Sequence, residues 1–246
     1  MEMYLVRHGE TEWSRARRHT GRTDLPLSPV GEAEARALGD HLRGLEVRRV
    51  MSSPLTRAVT TAKLAGFGDR VERTDALREF DYGDYEGLTT PQIRAERPGW
   101  DLFRDGCPGG ETVETAADRV RPLVAELAAS EGRTILFSHG HLLRILTACY
   151  LGLPPDKARH LFLGTASLSA LGVEHEWPAI LLWNEQEGSG AHIAEAGTVG
   201  WRGVPGRRAG QAGSGQAAAR LLVAKGARVW VVPAGPQSVS DLDIEA

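Results

Sequence analysis

The sequence predicts an α/β fold, a three-layer α/β/α sandwich with a mostly parallel central sheet. Three observations predict it. Short apolar runs alternate with longer stretches of helical periodicity. Two of the helical stretches open on a Ser-Pro step, a cap followed by the residue that suits the first helical position. The early apolar runs also break off abruptly into polar or charged residues, as buried parallel strands do where they reach a ligand site.

Residues 3–6 form the first strand, ending at Arg7. Ser28-Pro29 then starts a helix over about 29–43. Residues 47–51 are a second strand, and Ser53-Pro54 opens an alanine-rich helix that ends near Ala65. Between 111 and 129, apolar residues at 113, 116, 117, 120, 124 and 127 mark one helical face that should cover a sheet. Residues 134–137 are a further buried strand, followed by Ser138-His139-Gly140 and a helix through Leu151. Residues 167–173 and 179–183 supply the last two strands. Beyond Glu187 the composition turns to Gly, Ala and Arg, which places a catalytic domain at 1–187 and an extension at 188–246, flexible or partly ordered. Within that extension, 216–232 reads as helix, glycine stop and strand. Gly210, Gly213 and Gly215 precede it but depart from GxGxxG spacing, so no dinucleotide site is expected.

A chain of 246 residues with 41% hydrophobic content can bury an ordinary globular core. Its net charge of −3 gives no global attraction to nucleic acid or to an anionic membrane, so any anion binding must be local. Cys107 and Cys149 form no CxxC or disulfide framework and read as reduced thiols. No signal-peptide core precedes His8 and no apolar run approaches membrane-spanning length, so a cytoplasmic location is expected. His19, His41, His141, His160, His175 and His192 show no zinc-ligand spacing, so no metal or other cofactor is expected. The tryptophans lack the basic stripe of a nucleic-acid platform and read as packing residues.

Leu5-Val6-Arg7-His8-Gly9-Glu10-Thr11 puts an arginine, an imidazole and a permissive glycine where a strand gives way to a loop. Alone, His8 reads more readily as a satisfied core histidine than as a functional group. Ser52-Ser53-Pro54-Leu55-Thr56-Arg57-Ala58 sets a second arginine at a helix start, where backbone N–H groups already favour anions. Ser138-His139-Gly140 repeats the strand-then-histidine pattern. Together with Leu77-Arg78-Glu79-Phe80-Asp81-Tyr82-Gly83, these motifs resemble, in order and separation, the histidine phosphatase superfamily, also called phosphoglycerate mutase-like. The likeness runs from residue 3 to about 185.

The resemblance implies a phosphoglycerate mutase-like fold and a metal-independent phosphomonoester hydrolase. His8 matches the nucleophile that carries phosphate as phosphohistidine, Arg7 and Arg57 the pocket arginines, and His139 the second pocket histidine. Such arginines grip phosphate oxygens and also keep the imidazole neutral. Glu79 matches the proton donor that a poor leaving group needs. Ser14, Thr20 and Gly21 fall where the family has further phosphate contacts, although Ser14 stands at a position that is often asparagine. His141, two residues beyond His139, lines the pocket mouth or lies on a helix surface. The expected partner is a small phosphomonoester, a sugar phosphate in particular, and the resemblance allows a homodimer.

Two other functions fit parts of the pattern. A phosphoglycerate mutase would carry a lysine and paired arginines after the acid motif to hold the substrate carboxylate. Here Thr89-Thr90 and the isolated Arg104 occupy the comparable segment. A non-catalytic phospholigand-binding module would need the arginines but not a nucleophile together with a proton donor, and both His8 and Glu79 are intact.

Overall fold

In the computed structural model, residues 1–186 are described, together with the backbone of residues 223–224 and 227–228. A six-stranded sheet carries the first unit, in the order β3-β2-β4-β1-β5-β6. Its strands are β1 (Glu2–Arg7), β2 (Arg49–Ser52), β3 (Val71–Arg73), β4 (Arg133–Ser138), β5 (Leu168–Glu174) and β6 (Trp177–Glu185). The first four run parallel, whereas β5 and β6 are antiparallel additions on the β1 side. The sheet is thus mixed with a parallel majority. The helices are α1 (Glu12–Arg15), α2 (Pro29–His41), α3 (Thr56–Ala62), α4 (Thr90–Glu96), α5 (Leu102–Asp105), α6 (Val113–Ala128) and α7 (Gly140–Tyr150).

Both faces of the sheet are covered because β1 and β4 are apolar on both sides. Met3, Leu5 and Leu136 pack into a core with Val120 and Leu127 of α6 and Leu142 and Leu146 of α7. Ile135 and Phe137 alternate with Leu136 and are fully buried, and the Phe137 ring meets Phe67 from the segment after α3. Burying each such side chain contributes about 1.5–3 kcal/mol. The four buried residues Met3 to Val6 therefore anchor β1 in the centre of the sheet.

Helix starts follow the sequence signals. The Ser28 side chain accepts from Gly31 N at α2, and Thr112 with Thr115 forms a reciprocal cap at α6. The second predicted helix ends where expected: α3 continues from Ala62 into a π-helical turn at Lys63–Phe67, and Gly66 at φ 90° breaks the helical path just after Ala65. β3 was not expected, having three residues, mostly exposed, and no apolar run to announce it. Pro122 lies inside α6 on its exposed side, held there by the apolar face that packs on α7.

The chain divides into two compact units, Met1–His192 and Ile193–Ala246. The expected boundary at 187/188 lies outside the described residues, as does most of the helix-and-strand reading of 216–232. Where that segment is described, Val223–Ala224 (β7) pairs antiparallel with Ala227–Arg228 (β8). Residues 223–224 are therefore extended where a helix was expected.

One close approach ties the fold to its loops. A Cβ on Gly31, in the first turn of α2, would lie 2.6 Å from Glu10 N and against Glu10 O. A Cβ on Gly9 would in turn fall on the Gly31 backbone. Gly31→Ala is therefore expected to lower the unfolding free energy by about 1–3 kcal/mol, the usual cost of overpacking. An unchanged urea midpoint would contradict this packing account.

Candidate active site

The carboxyl ends of β3, β2, β4 and β1 lead into the segments that hold Glu79, Arg57, His139 and His8. Parallel strands place their exits at one edge, so four motifs scattered over 132 positions of sequence meet there. The backbone holds His8 from both sides: His8 N donates to Ser138 O (3.0 Å) and Ala166 N donates to His8 O (3.1 Å). Gly9 N donates to Thr61 Oγ1 (3.1 Å), and Glu10 N to Glu34 Oε2 (2.8 Å). The loop is therefore tied to α2 and α3.

The hydrogen bonds assign the imidazole tautomers. His8 Nδ1 lies 2.7 Å from Gly9 O. A carbonyl can only accept, so Nδ1 carries the proton and Nε2 keeps the lone pair. His139 has the opposite tautomer, because Arg57 Nε donates to its Nδ1 (3.2 Å) and the proton must sit on Nε2. The two rings meet edge to face at 5.2 Å. Burial, followed by the charges of Arg57 and Arg7, holds His8 well below the ordinary imidazole pKa of 6.5. Burial and Arg57 do the same to His139, with smaller contributions from His8 and Arg7. Both rings are neutral at pH 7.

Arg57 is fully buried, and its fork donates to three carbonyls, Thr23 O (2.9 Å), Thr20 O (3.0 Å) and Gly21 O (2.9 Å). Arg7 donates to Leu163 O (2.5 Å), and its guanidinium lies against Gly140, where an added Cβ would sit 3.4 Å away. Burial lowers the pKa of both arginines, and the carboxylate of Glu79 is the leading charge opposing it. Among the described residues, the buried side-chain donors left without a hydrogen-bond partner are Arg7 Nε and His139 Nε2. Unsatisfied buried donors are costly, and two of them, on the residue adjoining His8 and on a ring 5.2 Å from it, are groups that an anion would satisfy.

Glu79 follows β3 and reaches the start of α7. Its Oε1 accepts from Phe80 N and Leu142 N (both 2.9 Å), and its Oε2 from His141 N (3.2 Å). The N-cap residue of α7 is His139, whose side chain makes no cap bond. Glu79 supplies the missing cap from 60 positions away in sequence, and the helix dipole favours it there. Oε2 makes a single bond and so retains a lone-pair direction for a proton.

The three remaining expected residues have other partners. Ser14 Oγ accepts from Thr11 N (2.8 Å) and donates to Thr11 O (3.0 Å), which caps α1. Thr20 Oγ1 donates to Arg18 O (3.1 Å). Gly21 N donates to both carboxylate oxygens of Glu86 (2.9 and 3.0 Å). Gly21 is glycine because a Cβ there would lie 2.5 Å from Phe80 O and 2.8 Å from Glu86 Oε2. Thr20 and Gly21 thus meet the site through carbonyls that hold Arg57. Glu86, Thr61, Glu34 and Leu163 were not singled out from the sequence, because nothing local distinguishes a residue whose partner is distant along the chain.

Among the described residues, no three His, Cys, Asp or Glu side chains gather where they could hold a metal ion, and no helix is long and apolar enough to cross a membrane. Cys107 and Cys149 are free thiols.

Comparison with known proteins agrees with this geometry. Residues 3–186 match the histidine phosphatase superfamily (branch 1). The chain is 43% identical over 177 residues to an acid phosphatase of Mycobacterium tuberculosis, covering 70% of this chain and 87% of the relative. It is 35% identical over 204 residues to the probable phosphoglycerate mutase GpmB of Salmonella choleraesuis, covering 78% and 95%. The solved structure of mycobacterial glucosyl-3-phosphoglycerate phosphatase Rv2419c with VO3 superposes with a TM-score of 0.68 at 34% identity, covering 74% of this chain and 98% of that one. With the fold, the motif order and these matches in agreement, the chain belongs to the histidine phosphatase superfamily.

Proposed function

We propose that the protein hydrolyses small phosphomonoesters, sugar phosphates in particular, through a phosphohistidine formed on His8 Nε2, without a metal ion. The observation that carries this reading is that His8, with Nε2 left as the basic nitrogen, has its ring 5.2 Å from that of His139, while His139 Nε2 and the Nε of the adjacent Arg7 are buried donors without partners. In the first step the Nε2–P bond forms as the P–O ester bond breaks in line. The phosphoryl oxygens take hydrogen bonds from Arg7, Arg57 and His139, which offset the charge that a metal ion would otherwise neutralise. The departing ester oxygen takes its proton from Glu79 Oε2. In the second step water attacks phosphorus, Glu79 takes the water proton, and the N–P bond breaks to release phosphate and neutral His8. Ser14, Thr20 and Gly21 support the pocket indirectly, through the α1 cap and the carbonyls on Arg57.

Hydrolysis is favoured over mutase chemistry by the segment after Thr89, where a carboxylate grip would need uncommitted cations. Arg94 Nε donates to Trp100 O (2.9 Å). Arg104 pairs with Asp105 (2.7 Å) and donates to Gly99 O (2.5 Å), and Arg97 faces Asp105 at 3.7 Å. The sugar-phosphate class rests on the name of the structurally similar glucosyl-3-phosphoglycerate phosphatase.

Two outcomes test the roles. A histidine whose pKa is depressed stays neutral as pH falls through 6.5 and loses its lone pair only at lower pH. The kcat/KM for p-nitrophenyl phosphate, corrected for ionisation of the substrate, is therefore expected to show no acid inflection near 6.5. An inflection there would contradict the assignment of a buried, arginine-flanked nucleophile. Glu79→Gln keeps an acceptor for the α7 cap but has no proton to give. It should slow an alkyl phosphate by about 10²–10⁴-fold and p-nitrophenyl phosphate, whose leaving group needs no proton, far less. Equal losses on both esters would remove Glu79 from the role of acid.

A further inference from the structure

A third imidazole, on the residue whose backbone N–H binds Glu79, has no part in the proposed chemistry. Tyr82 Oη lies 2.6 Å from His141 Nδ1, and Tyr82 is 2% exposed. Its hydroxyl has no other partner among the described residues, so satisfying the buried O–H requires it to donate to Nδ1. The proton of His141 is then on Nε2. Burial, with Arg144, His19 and Arg7, keeps this imidazole neutral, so the tautomer is fixed and the ring presents a donor.

Packing also fixes where the ring sits. The Tyr82 ring is 4.8 Å from His19, and Phe103 meets His141 at 5.5 Å. Arg144 Cζ lies 4.6 Å over the Phe103 ring and secures it from behind. Tyr82 packs on the loop that Arg57 holds, since a Cβ on Gly21 would be 3.0 Å from Tyr82 Cδ2. The backbone N–H of His141 donates to Glu79 Oε2, the oxygen assigned above to proton transfer. His141 is thus joined by its backbone to the acid and by its ring to Tyr82, His19 and Phe103, two residues beyond His139 at the start of α7.

Resting on the hydrolytic reading above, we propose that His141 is a specificity-determining residue whose Nε2–H donates to an oxygen on the carbon next to the phosphorylated one. Tyr82 is the positioning residue that holds His141 in the donating tautomer. The substrate class is then a polyol or hydroxy-acid phosphate with a vicinal oxygen. A phosphomonoester without that oxygen leaves the donor unpaired when water is displaced, which is the condition that gives strong discrimination.

The test compares glycerol 3-phosphate with propyl phosphate, two alkyl esters that differ in the vicinal hydroxyl. The readout is the ratio of their kcat/KM values, which cancels any loss of folded protein. The wild type is expected to favour glycerol 3-phosphate. His141→Ala should reduce the ratio by about tenfold or more, as removal of one buried hydrogen bond does. Tyr82→Phe should reduce it severalfold, mainly through KM, and should add nothing in the His141→Ala background. A ratio unchanged in both variants would overturn the proposal, and additive losses in the double variant would overturn the relay through His141. If His141→Ala does not fold, Tyr82→Phe decides alone by the same ratio. Failure of the wild type to hydrolyse either ester, or p-nitrophenyl phosphate, would instead sink the hydrolytic reading.

Discussion

The site depends on removing two guanidinium groups from water without giving either a carboxylate of its own. Arg57 is wholly buried and Arg7 partly so, and both are held by carbonyl oxygens. Burying a cation in this way is unfavourable by several kcal/mol even after relaxation. Carbonyl dipoles and the nearby Glu79 recover part of that cost. The uncompensated remainder is electrostatic demand for an anion, and it adds to burial, the larger cause, in depressing the basicity of His8 and His139. In the proposed reaction, anion binding and a neutral His8 both follow from burying these charges together.

That arrangement survives because the rest of the fold is rigid around it. β1 and β4 are neighbouring parallel strands buried on both faces, so His8 and His139 leave adjacent strand ends in register, with Arg7 opposite Ser138. α7 starts at the same edge and is capped by Glu79 rather than by a residue of its own. The carboxylate is therefore placed by the helix it stabilises. Gly9 and Gly31 allow the loop after His8 to lie directly on α2, and Thr61 holds Gly9 from α3. Stability and chemistry draw on the same contacts.

Much of this was legible in the sequence wherever the information was local. The apolar run before Arg7, the Ser28-Pro29 cap and the face of α6 identified their elements to within a few residues. His8, Arg57 and His139 could be singled out because each directly follows a readable strand or opens a readable helix. The meaning of Ser14 was also local but was read differently: Thr11 and Ser14 are spaced as a reciprocal helix cap, and that is the bond they make. β3 and the partners of the site were not legible. Glu86 binds Gly21 across 65 positions and Leu163 holds Arg7 across 156, and no spacing pattern encodes such pairs. Tyr82 carried a visible motif position, but its bond to His141 emerges only once two loops are folded together.

The central claim is that His8 Nε2 becomes covalently bonded to phosphorus. The most direct measurement is rapid quenching of the protein during turnover of a ³²P-labelled phosphomonoester, followed by mapping of the label. The account predicts acid-labile, base-stable label on the peptide containing His8, absent from His8→Ala and present at a steady-state level in chelator. Turnover at the full rate with no labelled His8, or label on another residue, would contradict it.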